Sequence, residues 1–187
     1  MITKIISGGQ TGADRGGLDA AIHCGIPHGG WCPKGRIAED GAIPVDYYLN
    51  EMVSPQYLPR TKANVVDSDA TVIFTYGPLS GGSLQTATYA HHLEKPYHDV
   101  DLQRTTRGKA VEGIVRWLAG DPELNDYDEY LARPPLVCIL NVAGSRESHA
   151  PGIQEAVFQL MVDVLIQVNP ACQHFYSIGD SQSPIRK

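Results

Sequence analysis

The stretch SGGQTGADRGGLDAA, Ser7 to Ala21, restricts what this chain can fold into more than any other. A short apolar run, Ile2-Thr3-Lys4-Ile5-Ile6, precedes it and reads as a strand. Leu18, Ala21 and Ile22 follow at spacings of three and four, which gives a helix one buried stripe. Between strand and helix lie Gly8, Gly9, Gly12, Gly16 and Gly17, so the backbone can turn with positive φ and press close to a ligand. A glycine turn that opens a helix offers unpaired N–H groups at the positive end of the helix dipole, a seat for phosphate or another anion. The spacing fits neither G-x-G-x-x-G nor G-x-x-x-x-G-K-[ST]. A flexible connector is the plainer alternative.

The same unit recurs. Ala70 to Tyr76 is β-branched and apolar throughout, as expected for a strand buried inside a parallel sheet. It runs into Gly77-Pro78-Leu79-Ser80-Gly81-Gly82-Ser83 and a helix expected over residues 84–93. A further apolar strand, Leu136 to Val142, ends in Ala143-Gly144-Ser145-Arg146-Glu147-Ser148, and Pro151 is placed to start the next helix. Ile153, Ala156, Val157, Leu160, Met161, Val164 and Leu165 form its stripe, which is ordinary core packing. In open α/β sheets ligands bind beyond the carboxyl ends of the strands, so two such turns side by side would aim two helix N-termini into one crevice.

The remaining elements connect these units. The first helix is expected to end at Cys24-Gly25, and residues 26–31 to form a short second strand thinned by Gly29-Gly30. Residues 33–58 read as a long irregular loop, either a binding loop whose Trp31, Lys34, Arg36, Tyr47, Tyr48 and Tyr57 stack on a ring and pair with anions, or a plain surface loop. A short helix is expected over residues 60–66, a strand over 96–100 and an amphipathic helix carrying Val111, Ile114, Val115 and Leu118. The acidic segment 121–135 reads as an excursion, and residues 175–178 as a last edge strand.

A length of 187 residues suits one domain. A net charge of -6 argues against sequence-independent nucleic-acid binding but leaves a local anion site open. No apolar run reaches the roughly 20 residues that span a bilayer. Cys24, Cys32, Cys138 and Cys172 are scattered without a C-x-x-C pair, so the expectation is a reduced cytoplasmic protein with no metal site.

GGQTGADRGGLDAA at 8–21, GWCPKGRIAEDG at 30–41, RTKANVVDSDATVIF at 60–74, GPLSGGSLQTA at 77–87 and NVAGSRES at 141–148 together resemble the molybdenum cofactor carrier family. That family is a Rossmann-like branch of the grouping that includes cytokinin-activating phosphoribohydrolases and lysine-decarboxylase-like proteins. The resemblance covers residues 2–168 and implies a doubly wound, mostly parallel sheet with helices on both faces in three layers. It also implies an anionic cofactor, molybdopterin or a nucleotide, and a homo-oligomer, dimer or tetramer, with molybdoenzymes as candidate partners. The related phosphoribohydrolases carry P-G-G-x-G-T-x-x-E; here Thr88 stands where that glutamate would be, and a threonine does not replace a carboxylate in glycosidic cleavage.

The leading expectation is therefore a binding protein for a phosphate-bearing ligand. Gly8, Gly9, Gln10, Thr11 and Gly12 would form one cradle, and Gly77, Gly81, Gly82 and Ser83 a second. Asp14 would cap the first helix and Arg15 pair with phosphate. Lys34 and Arg36 would close over the ligand, and Asn141, Ser145, Arg146 and Glu147 would border the crevice. A nucleotide N-glycosidic hydrolase using Asp14, Asp67, Asp69 or Glu147, and a nucleotide-sensing regulator, are the alternatives.

Overall fold

The computed structural model describes residues 1–121 and 137–169. The excursion at 121–135, but for Asp121, and the edge strand at 175–178 lie outside them.

Five parallel strands make the main sheet: β1 (Lys4–Ile6), β2 (His28–Gly29), β7 (Ala70–Thr75), β8 (Tyr97–Asp101) and β9 (Ile139–Gly144), in the order β2-β1-β9-β7-β8. Every residue of β7 is buried, which is why its sequence is continuously apolar or β-branched. Helices α1 (Ala13–His23), α5 (Ile153–Val168) and α4 (Arg107–Leu118) pack in succession, and α2 (Tyr57–Asp67) packs on α3 (Gly81–His92). Right-handed crossovers put the first three on one face of the sheet and the other two on the opposite face, a three-layer Rossmann-like arrangement.

The last strand of the described chain is the central one. Were β9 and α5 to come first, the strands would follow in the order 3-2-1-4-5, the doubly wound order of dinucleotide-binding sheets. The two places that such a rearrangement would bring together already touch: Ile2 N donates to Asn169 Oδ1 at 2.9 Å, and Asn169 Nδ2 donates to the Ile2 carbonyl at 2.8 Å. Gly16 and Gly17 are helical here, and their role is close packing. A methyl group at Gly16 would lie 2.5 Å from the Gln154 carbonyl, and one at Gly17 2.5 Å from Val142 Cγ1. Only glycine lets α1 sit flush on α5 and β9.

Residues 33–56 are more ordered in architecture than the expected loop. The expected second strand divides, so that β2 joins the main sheet while β3 (Trp31–Cys32) pairs with β6 (Asn50–Glu51). Between them β4 (Ile37–Ala38) and β5 (Gly41–Ala42) form a hairpin. Leu18, Cys32, Ala38, Ile43 and Leu49 bury themselves together beneath this segment as a second, smaller core. Two-residue strands carry too little alternation to be seen as periodicity. Other boundaries shift by a turn or less: α2 starts at Tyr57, α3 at Gly81, α5 at Ile153, and β9 begins and ends later than expected.

Candidate functional site

Three strand exits meet at the carboxyl edge of the sheet. Gly12, with φ +82°, lies so close to the loop after β9 that a methyl there would stand 2.4 Å from the Ser145 carbonyl and 2.7 Å from Glu147 N. Ala13 N donates to the Ser145 carbonyl at 3.0 Å, and Ser145 N donates to the Phe74 carbonyl on β7 at 2.9 Å. The loops after β1, β9 and β7 are thus stitched side by side, at the point where strand order reverses.

Amides expected to be open at the start of α1 are already engaged. Gln10 N donates to Asp14 Oδ2 at 3.2 Å, Thr11 N to Gln10 Oε1 at 3.0 Å and Gly12 N to Gln154 Oε1 at 3.4 Å. Asp14, buried within the first turn, occupies this end of the helix itself. Gly9, with φ +72°, faces the smaller core, where a side chain would meet Leu49 at 2.5 Å and Ile43 at 3.1 Å. Gly8 serves another purpose: a methyl on it would lie 1.8 Å from Arg60 Nη1, so the Arg60 guanidinium lies across it.

Arg60 comes from α2, and its Nη1 stands 3.1 Å from Asp14 Oδ2, with the two side chains 12% and 5% exposed. Burial pushes the Asp14 carboxyl up, against the opposing pull of Arg60, the Gln10 N–H and Arg146. Arg60 and Arg146 both flank the Tyr57 ring, at 5.9 and 5.7 Å from its centre. Two buried donors in this cluster, Gln10 Nε2 and Arg60 Nε, find no partner among the described residues. A buried donor left unpaired costs about 1–3 kcal/mol, more when charged, so each of these donors calls for an acceptor; their residues are linked through Asp14 Oδ2, which accepts from Gln10 N and Arg60 Nη1.

The β4–β5 hairpin lies over this turn by its tip. Arg15 donates to both oxygens of Asp40 at 2.6 and 2.7 Å, and its Nε donates to the Gly9 carbonyl at 3.1 Å. Arg15 thus serves the hairpin and the loop, and its hydrogen bonds hold the Asp40 carboxyl below its ordinary range. Glu39 accepts from Thr11 Oγ1, Ser148 N and Ser148 Oγ. Burial alone would raise the Glu39 carboxyl, but those hydrogen bonds and Arg146 outweigh it and hold it low.

The start of α3 is different, because it is open. Gly81 and Gly82 are exposed, and a methyl on either would meet no heavy atom within 4 Å among the described residues. Ser83 closes the turn instead of facing a ligand: its Oγ accepts from Ser80 N at 3.0 Å and donates to the Ser80 carbonyl at 2.8 Å. Gly77, with φ +85°, donates to Asp101 Oδ1 at 2.8 Å.

Several expected residues sit elsewhere. Arg36 does not reach over the site: its guanidinium donates to the carbonyls of Ile43, Pro44, Tyr47 and Leu49 and braces the loop. Lys34 is exposed beside it. Asn141 is buried inside the sheet and donates to Thr71 Oγ1 at 3.2 Å. Glu147 caps α5, accepting from Gly152 N and Gln154 N. Trp31 and Tyr47, candidates for stacking, spend their polar ends on Asp67 and Asp19 at 2.7 Å each. Asp69 accepts from Cys138 N and Ile139 N at the amino edge of the sheet, away from the strand exits. Thr88 Oγ1 donates to the Leu84 carbonyl within α3. Arg60, Glu39 and Asp40 were not expected as site residues, although all three fall inside the motif stretches that carry the family resemblance. Among the described residues no His, Cys, Asp and Glu group could hold a metal ion, and no helix is long and apolar enough to cross a membrane.

The family model of circularly permutated YpsA SLOG proteins matches residues 5–165. No curated protein matches the chain. The crystal structure of a protein from Syntrophus aciditrophicus SB, described as a putative molybdenum carrier protein, is similar at 42% identity over 88% of this chain and 95% of that one, with a TM-score of 0.76. The central place of the last described strand, the hydrogen-bonded pair Ile2 and Asn169 and the family match agree: the chain belongs to the circularly permutated YpsA SLOG family.

Proposed function

We propose that this chain binds a phosphate-bearing anionic ligand at the exits of β1 and β9, and that the ligand is the molybdenum cofactor, as the description of its solved neighbour suggests. One observation supports the reading most: Gln10 Nε2 and Arg60 Nε are buried donors without partners among the described residues, and Arg60 and Arg146 share the Tyr57 ring. Charge-assisted donors suit the phosphate group of molybdopterin or of a nucleotide. The exposed first turn of α3, with its glycines, would receive the rest of the molecule against an open helix N-terminus. In this reading the chain holds its guest without cleaving it, and molybdoenzymes would be the receivers.

Calorimetric titration separates the parts of this reading. Molybdopterin and AMP should both give saturable heats, adenosine none, and Arg146→Ala should weaken binding about tenfold, the worth of one charge-assisted contact. Heat with AMP and none with molybdopterin removes the carrier assignment. No heat with either removes the anion site.

A further inference from the structure

Both carboxylates at the tip of the β4–β5 hairpin are docked. Glu39 Oε1 accepts from Thr11 Oγ1 and, at 3.1 Å, from Ser148 N. Its Oε2 accepts from Ser148 Oγ at 2.5 Å, and Arg146 Nη1 stands 3.8 Å away. The Glu39 side chain is only 19% exposed. Two hydroxyls, one amide N–H and a guanidinium converging on one carboxylate form a donor set that an outside oxyanion satisfies equally well. The set also exceeds what Glu39 uses. Gln10, 5% exposed, accepts through Oε1 from Thr11 N and from Glu39 N, while Nε2 of the same amide has no partner.

We propose that Glu39 is an internal stand-in for ligand: Thr11, Ser148 and Arg146 form an oxyanion seat that a phosphate group takes in exchange for the Glu39 carboxylate, freeing that arm of the hairpin. The inference rests on the anion-binding reading above and adds the gate to it. Asp40 remains paired with Arg15 at 2.6 and 2.7 Å, so the exchange loosens the tip without detaching it. A seat filled by its own carboxylate lowers the apparent affinity by the fraction of molecules in which it stands vacant.

The test is titration of inorganic phosphate, and separately of AMP, into the full chain and its Glu39→Gln variant, with amide hydrogen exchange read over residues 37–42. Glu39→Gln should bind inorganic phosphate about tenfold more tightly, since the glutamine no longer brings a competing charge. Adding Arg146→Ala to Glu39→Gln should abolish that gain. In the unaltered chain, saturating AMP should speed exchange at the Glu39 amide. Gain with inorganic phosphate but not with AMP would identify free phosphate as the occupant. Equal phosphate affinity with and without Glu39, or exchange slowed at residue 39 by AMP, overturns the exchange. If AMP then still binds and Arg146→Ala weakens it, the anion site stands and the gate alone falls; if AMP never binds, both fall.

Discussion

Glycine identity means different things at different positions of this site. Gly9 and Gly82 read alike in sequence, as members of two ligand-cradling turns. In the fold, Gly9 has φ +72° and faces Leu49 at 2.5 Å, whereas Gly82 faces open space. Gly9→Val should therefore destabilise the protein on the order of 3 kcal/mol, from left-handed strain plus overpacking, read as a lower urea midpoint. Gly82→Val should change stability by only about 0.5 kcal/mol and weaken AMP binding instead. Equal losses of stability would refute the distinction. Arg60 shows the converse limit. It reads as an ordinary basic residue near the start of a helix, and only packing across Gly8 shows that it completes the first turn.

At the scale of elements, long uniform segments were readable and short ones were not. The apolar run of β7 and the stripes of α4 and α5 declare themselves because burial on both faces, or on one stripe, fixes residue type at every position. The two-residue strands β3 to β6 have no such signature, since loop-spanning contacts such as the four carbonyls around Arg36 set their paths. The β8–α4 packing carries its own pH dependence. His98 stacks on Trp117 with ring centres 5.4 Å apart, and burial pushes its imidazole below the ordinary 6.5, only partly opposed by Asp99. A depressed histidine contributes stability that is fully present above its unfolded value and is lost as pH falls through the folded one. The urea midpoint should thus drop as pH is lowered from about 7.5 to about 5.5, and His98→Phe should flatten that part of the profile. An unchanged slope in His98→Phe would assign the titration elsewhere.

The whole molecule has the order of a doubly wound sheet cut at a different place. Three strand–glycine turn–helix units were visible in sequence, but not that the last of them occupies the centre, because apolar patterning reports burial and not neighbour identity. With Ile2 and Asn169 hydrogen-bonded at 2.9 and 2.8 Å, a permutant that begins at residue 137 and runs through 187 into residue 1 should fold to the same sheet. Circular dichroism and one cooperative urea transition would show this; a chain without cooperative unfolding would mean that the order of synthesis is essential. Permuted or not, the sheet holds three strand exits together, and the site follows from that. Crystals grown with AMP test this most directly. The account predicts density for the phosphate beside Arg146 and within hydrogen-bond distance of Gln10 Nε2 or Arg60 Nε, with the nucleoside reaching toward Gly82. A phosphate bound away from Arg146, with both of those donors still unpaired, would contradict it.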